Sequence, residues 1–226
     1  MSSAVAAALK PKIAIVYYSM YGHVATMAKS VAKGVESAGG EVKVFQVAET
    51  LSEDVLAKMH APAKDASVPV IADPADLEQY DGVLFGSGTR FGMVTAQLKA
   101  FFDRSGQVWS RGGWVGKTAG IFFSTGTQGG GQETTALTAL TQFTHHGMVY
   151  VPIGYSDPSL FNMDEIHGGS PYGSGTYAGP TGARQPSALE LGVAEHQGRH
   201  FATITGYIKR GKAATPAAGS AAAPAK

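Results

Sequence analysis

The chain contains no cysteine. That absence removes disulfides, thiolate nucleophiles, CxxC redox pairs and Cys-ligated zinc or iron–sulfur clusters together, so any redox chemistry must come from a bound cofactor. Charge is also scarce. Charged residues make up 15% of the chain, and 18 basic against 17 acidic residues leave a formal net charge of +1. No global field draws a polyanion, and no Lys/Arg cluster is denser than Lys209, Arg210 and Lys212, so no nucleic acid partner is expected. There is no run of about 18 apolar residues, so no integral membrane segment is expected. Met1 to Leu9 lack the basic start and long apolar stretch of a signal peptide, which makes a cytoplasmic protein the expectation. A hydrophobic share of 44% is too high for a disordered chain, and 226 residues suit one large domain. Glycine, in contrast, is plentiful, at 30 residues or roughly twice its usual share of about 7%.

Lys12 to Tyr18 form a β-branched and aromatic run that reads as a strand buried on both faces. After Ser19-Met20-Tyr21-Gly22-His23 come Val24, Met27, Ala28, Val31 and Val35 at amphipathic-helix spacing, ended by Gly39-Gly40. Val42 to Val47 give a second strand and complete a βαβ unit. Residues 48–80 show only a short helix around Glu53 to Met59 and another starting near Pro74. Gly82 to Gly86, Thr118 to Phe123 and Met148 to Ile153 are three further strands, separated by helices with inward Leu98, Phe101 and Phe102, then Leu137, Leu140 and Phe143. Five strands alternating with helices predict an α/β fold, an open five-stranded parallel sheet with helices on both faces. Residues 154–186 are rich in Gly, Pro, Ser and Tyr without a period, and a stretch that long inside a domain is usually functional. Ser187 to Glu190 form a capping box that opens a last helix. The N-terminal extension is set at 1–11, the domain at 12–210 and a disordered Ala/Pro-rich tail at 211–226.

Three strand ends, at Ser19, Ser87 and Ser124, run into loops of small and hydroxyl-bearing residues. In a doubly wound sheet those ends lie side by side where ligands bind, so three loops build one pocket. Each alone is compatible with ordinary βα turn chemistry. Ser19, Thr125 and Thr127 bring hydroxyls, the glycines let backbone N–H groups approach an anion, and the helix start after Ser19 suits a phosphate. Gly116-Lys117-Thr118 is not a P-loop, because Arg111 stands where the first glycine belongs and Lys117 precedes a strand. No GxGxxG follows the first strand. His196 and His200, one helical turn apart with no third ligand, read as helix surface or interface, and no metal site is expected. His145 and His146 end a helix, where a cation complements the dipole; a cofactor role for His145 is the alternative. Trp109 reads as a loop aromatic, either packed or part of a binding surface.

These residues carry a family resemblance. Val16 to Val24, Gly88-Thr89-Arg90-Phe91-Gly92, Ser124 to Glu133, His145 to Met148 and Val151 to Tyr155 resemble the WrbA family of NAD(P)H:quinone oxidoreductases, as do Gly168 to Gly173 and Ala183 to Pro186. The resemblance spans about Lys12 to Lys209, and the Gln128 spacing is closer to plant and fungal members. It implies a flavodoxin-like fold binding FMN, acting on NAD(P)H and quinones, and assembling as a homodimer or homotetramer whose sites are completed by neighbouring subunits. By motif, Ser19, Met20, Tyr21, Gly22, His23 and Val24 would hold the FMN phosphate and Thr89, Arg90 and Phe91 would line the isoalloxazine. Ser124, Thr125, Gly126, Thr127, Gln128, Gly129 and His145 would contact the flavin. Tyr21 would touch the nicotinamide nucleotide, and Trp109 from another subunit would lie near the quinone. The sequence departs from the family pattern in two places, Gly88 where a proline is frequent and the Ala-rich extensions at both ends, and Val24 stands where short-chain flavodoxins carry a threonine.

The implied activity is two-electron quinone reduction in a ping-pong cycle, with His145 the candidate catalytic residue because an imidazole titrates near neutral pH. A non-enzymatic flavoprotein, such as a one-electron carrier, is the alternative. Carriers of that kind are typically strongly acidic, and a net charge of +1 speaks against it.

Overall fold

The computed structural model describes residues 9–215. Strand β1 (Lys12–Tyr17) is apolar throughout its buried length because helices cover both of its faces. Pleating sends Ile13, Ile15 and Tyr17 to one layer, and Ala14, Val16 and the following Tyr18 to the other. Strand β2 (Glu41–Val47) pairs with β1 in parallel on one side, with Ile13 opposite Val42. Past β2 lies β3 (Val70–Ile71). On the other side of β1 is β4 (Gly82–Arg90), which turns back into the antiparallel β5 (Met93–Val94). Then come β6 (Thr118–Thr125) and β7 (Val149–Tyr150), giving the order β3-β2-β1-β4-β6-β7, with β8 (Gly175–Tyr177) also parallel to β6.

Helices α1 (His23–Ser37) and α6 (Ala188–Ala214) cover the Ile13 face through Met27, Val31, Val35 and Phe201. The short helices α2 (Glu53–Lys58) and α4 (Gly106–Ser110) lie in the connections. On the opposite face, α3 (Ala96–Asp103) and α5 (Gln132–His145) supply Leu98, Phe101, Phe102 and Phe143. Phe85 of β4 meets the edge of Phe102 at 5.1 Å and stacks on Phe143 at 5.3 Å, linking sheet to both helices. The doubly wound arrangement predicted from strand–helix alternation is the one observed.

Strand count and the fifth strand differ from expectation. Among the described residues the sheet has eight strands, four of them only two or three residues long and too short for a periodic signal. The expected strand Met148 to Ile153 pairs only at Val149 and Tyr150, and Val151 adds one more bond, its N–H donating to Ala119 O at 2.8 Å. Past Val151 the pairing with β6 ends. The chain leaves the sheet and returns as β8, with Gly175 opposite Phe123, so one sheet position is filled in two pieces. The helix expected near Pro74 is a 3-10 turn, Pro74–Gln79, capped by Asp73 Oδ1 accepting from Ala75 N–H at 2.8 Å. Helix α6 continues to Ala214, past the boundary set at 210, while residues 1–8 and 216–226 of the two expected extensions lie outside the described residues.

The excursion between β7 and β8 is locked by Glu190, whose side chain is fully buried. The capping box is present as predicted: Ser187 Oγ accepts from Glu190 N–H, and Glu190 Oε2 accepts from Ser187 N–H at 2.8 Å. The same carboxylate also accepts from Gly168 N–H at 2.8 Å, Thr176 Oγ1 at 2.8 Å, Tyr177 N–H at 3.2 Å and Arg184 Nη1 at 2.9 Å. Burial alone would push this carboxyl's pKa up. The hydrogen bonds, led by that from Arg184, outweigh it and hold the pKa below the usual value.

Two predictions follow from this packing. Helices α1 and α6 touch backbone to backbone, and a Cβ on Gly34 would lie 1.9 Å from Glu195 O, one on Gly198 2.0 Å from Val31 O. Gly34→Ala or Gly198→Ala should destabilise by about 1–3 kcal/mol through overpacking, despite a helix-propensity gain of up to about 1 kcal/mol; calorimetry showing either variant more stable would refute the contact. Glu190→Gln should cost roughly 3 kcal/mol by breaking a buried charge pair. Because the folded carboxyl titrates below the unfolded value near 4.3, its stabilisation is complete above that pH and is lost as pH falls toward the depressed pKa. Melting curves between pH 7 and 3 should therefore be flatter for Glu190→Gln than for the wild type.

Candidate functional site

The C-terminal ends of β1, β4 and β6 lie next to one another and open a pocket at that edge of the sheet. Strand β1 is followed by Tyr18, whose N–H donates to Gly86 O at 3.0 Å, and the chain then turns through Ser19-Met20-Tyr21-Gly22 into α1. Gly22, the N-cap, holds φ at 94°, a left-handed conformation costly for other residues. Its N–H donates to Ser19 Oγ at 3.1 Å, closing the turn. The first turn of α1 carries no acidic residue, so its unpaired amides and positive dipole end face the pocket uncompensated. Thr26 does not help there, since its hydroxyl donates to Gly22 O at 3.1 Å.

Of the residues expected here, Ser19, Met20, Tyr21, His23, Val24, Thr89, Arg90, Ser124, Thr125 and Gly126 line the pocket, and Gly22 forms the turn behind it. His23 is buried and its Nε2 lies 2.8 Å from Arg184 O. A carbonyl only accepts, so Nε2 carries the proton and ties the 178–186 segment, which adds Ala178 and Gly182 to the lining, to the start of α1. Thr125 Oγ1 donates to Thr127 O at 3.0 Å and accepts from Gln132 Nε2 at 3.1 Å, so it closes its own loop. Phe91 is not in the lining. It and Gly92 have φ of 51° and 78° and form the two-residue tip of the β4–β5 hairpin, with the Phe91 ring fully exposed. A left-handed phenylalanine costs roughly 1–3 kcal/mol, the kind of strain that collects beside functional sites. Thr127 and Gly129 also stay outside the lining, and Gln128 faces a separate cavity walled by 162–167.

His145 and Trp109 are not brought to the pocket of their own chain. Helix α5 runs back against the strands from Gln132, so His145 emerges at the opposite edge, where Gly116 N–H donates to Gly147 O at 2.8 Å just before β6 begins. The eight residues of β6 separate the two edges by roughly 25 Å. Trp109 sits at that same far edge on α4, beside Arg111, which pairs with Glu78, and is about half exposed. Next to His145 in sequence, His146 is structural: it lies 2.8 Å from Ser105 Oγ and against the Trp114 ring at 4.3 Å, and burial lowers its pKa. Lys117 is structural too, its Nζ donating to Glu78 O at 2.7 Å and Tyr80 O at 2.6 Å. His196 contacts Ser156 Oγ at 2.7 Å, its ring parallel to that of His200, and no cluster of three metal-binding side chains occurs among the described residues.

Sequence reasoning missed a polar group behind the pocket. Tyr18 OH donates to Glu49 Oε2 at 2.7 Å, Gln97 Nε2 to Glu49 Oε1 at 2.9 Å, and Lys64 Nζ lies 3.4 Å from Glu49 Oε2. Burial would raise the Glu49 pKa, but hydrogen bonds from Tyr18, Gln97, Thr50 N–H and Leu51 N–H bring it down to about 2. Burial, and then Glu49, push the Tyr18 phenol well up, so the pair is carboxylate and neutral phenol throughout the working range. The available signal was positional: Glu49 follows β2 at the same edge of the sheet as Ser19.

Similarity to known proteins agrees with this geometry. A family described as NADPH-dependent FMN reductase matches residues 11–158. The chain is 60% identical over 201 residues to the quinone-oxidoreductase QR2 of Triphysaria versicolor, covering 88% of this chain and 97% of that one. It is 52% identical over 195 residues to the NAD(P)H quinone oxidoreductase PST3 of Candida albicans, covering 85% and 97%. Among solved structures, the WrbA-like flavodoxin of Agrobacterium tumefaciens superposes with a TM-score of 0.59 at 23% identity, over 87% of this chain and 98% of that one, and supports the fold. No described helix is long and apolar enough to cross a membrane. A loop edge built from β1, β4 and β6 and a match over most of the domain lead to one assignment: this chain belongs to the NADPH-dependent FMN reductase family.

Proposed function

We propose that the chain is an FMN-dependent NAD(P)H:quinone oxidoreductase that reduces quinones to hydroquinones, two electrons at a time. The observation that carries the reading is the acid-free N-terminus of α1 opening on the Ser19–Gly22 turn, beside the ends of β4 and β6. Near-full-length similarity to relatives named as quinone oxidoreductases supports it. The residues present fit the cofactor: an anion finds amide donors and no carboxylate, and a planar ring finds Thr89, Arg90 and the Ser124–Gly126 loop around one opening. Bound there, FMN supplies the hydride chemistry that no side chain of a cysteine-free protein provides.

The chain's own part is binding, orientation and proton handling. Ser19 to Val24 hold the phosphate, chiefly through backbone N–H groups, since Val24 lacks a hydroxyl and that of Thr26 is already spent. Thr89 and Arg90 border the ring on one side and Ser124 to Gly126 on the other, with Phe91 on the exposed hairpin tip beyond Arg90. Tyr21 is half exposed at the mouth, its OH donating to Met59 O at 3.1 Å, and offers its face to the nicotinamide nucleotide. Donor and acceptor use the same open face in turn, which makes the cycle ping-pong. Because His145 and Trp109 lie far from the pocket of their own chain, a role for either at the flavin requires a homodimer or homotetramer in which it reaches a neighbour's site.

Titrating the flavin-free protein with FMN and mixing the yellow holoprotein anaerobically with NADH or NADPH tests the reading. Quenched flavin fluorescence, complete bleaching by the nucleotide and parallel double-reciprocal plots for a quinone are expected. A protein that takes up no FMN refutes it, and a stable radical with no quinone turnover would point to an electron carrier. His145→Ala should slow reoxidation by quinone more than reduction by NAD(P)H, by about 100-fold if His145 is the proton donor. Equal slowing of both half-reactions, followed by stopped flow, would remove His145 from that role.

A further inference from the structure

The Ser19–Gly22 turn separates the flavin pocket from a second cleft behind it, and Ser19 and Met20 border both. From the rear, Lys64 Nζ donates to Ser19 O at 2.7 Å. Lys64 belongs to a stretch without regular structure, tied down where Gln46 Nε2 donates to Asp65 O at 2.9 Å and Val68 O at 2.7 Å. Its ammonium is held laterally by Glu49 Oε2 at 3.4 Å and by the Tyr18 ring at 4.4 Å. A lysine gripped on three sides by a carbonyl, a carboxylate and a ring is a fixed element of the turn.

In a trans peptide the C=O and the following N–H point in opposite directions, and the chain has no cis bond among its described residues. A Ser19 carbonyl drawn to the rear cleft therefore turns the Met20 N–H toward the flavin pocket. We propose that Lys64 is a positioning residue for the cofactor's phosphate, acting through the Ser19–Met20 peptide and held in place by Glu49. This rests on the pocket being the FMN site. Without Lys64 the peptide is free to rotate and present a carbonyl oxygen to a dianion, which opposes binding.

The test is the ratio of affinities for FMN and riboflavin, which differ only in the phosphate, measured by fluorescence titration of the full-length chain stripped of flavin. Lys64→Met should weaken FMN by about 10- to 100-fold, the loss expected of a charge-assisted hydrogen bond, while riboflavin changes less than about 3-fold and the melting temperature of the flavin-free chain stays close to wild type. Glu49→Gln separates positioning from simple attraction by a cation. Removing the counter-charge would tighten FMN if Lys64 acted only through its field, whereas the loss of its anchor should weaken FMN and again spare riboflavin. Equal loss of both flavins, no loss in Lys64→Met, or unchanged or tighter FMN binding in Glu49→Gln would overturn the assignment. A wild-type chain that binds neither flavin would overturn the pocket reading itself, and this inference with it.

Discussion

Burial of β1 on both faces is the constraint from which the rest follows. Ile13 to Val16 offer no polar side chain to either side, so the strand is stable only between two helical layers and at the centre of a sheet. A central strand needs neighbours on both sides. The chain reaches β2 through α1 on one side and β4 through the next crossover on the other, so winding reverses at β1. Crossovers depart in opposite directions there, and the strand ends leave a crevice between them. Ser19–Gly22 is the exit from that strand, so the packing that stabilises the core also fixes where the pocket opens.

Features that depend on nearby residues were legible in the sequence; those decided by distant partners were not. The β1 run, the spacing of Val24 to Val35 and the capping box at Ser187 and Glu190 each appear in the structure because their partners lie within a turn or two. The pocket's placement was legible as well, because topology alone brings Ser19 and Ser124 to one edge. The split fifth strand was not, since Gly175–Tyr177 is a strand only by pairing with Phe123 to Thr125 some fifty residues earlier. Glu190 shows both cases in one side chain: its bond to Ser187 is local and was foreseen, while its bonds to Gly168, Thr176 and Arg184 depend on how the excursion folds back. His145 precedes the fifth strand, so the parallel topology already puts it at the edge opposite Ser19 and Ser124, and only the family resemblance pointed from it to the flavin.

Hydroxyl groups near the pocket serve differently from what composition suggests. A cluster of serines and threonines reads as a set of donors waiting for a ligand. Here Ser19 Oγ accepts from Gly22, Thr26 donates to Gly22 and Thr125 donates to Thr127, so several are engaged in shaping the turns. The backbone of the turn is held in a curve by those bonds. On the proposed reading, Val24 in place of a threonine removes one donor from a set that still contains the turn's amides and the Ser19 hydroxyl. Electrostatics then comes from the helix terminus and the peptides of the turn, which is consistent with a chain of such low charge.

The lysines complete the same pattern. Lys117 grips the carbonyls of Glu78 and Tyr80, Lys209 that of Lys10, Lys212 that of Gly116 and Lys64 that of Ser19. In each case an ammonium, with three donors and a flexible stem, satisfies carbonyls that no sheet or helix can pair. Lys117 resembles a phosphate-binding lysine in sequence only, because its charge is already committed to a structural joint at the far edge. Lys64 differs from the others in where its joint lies. The carbonyl it holds belongs to the turn that closes the pocket, so a device used elsewhere to stabilise irregular chain here orients a peptide at the site.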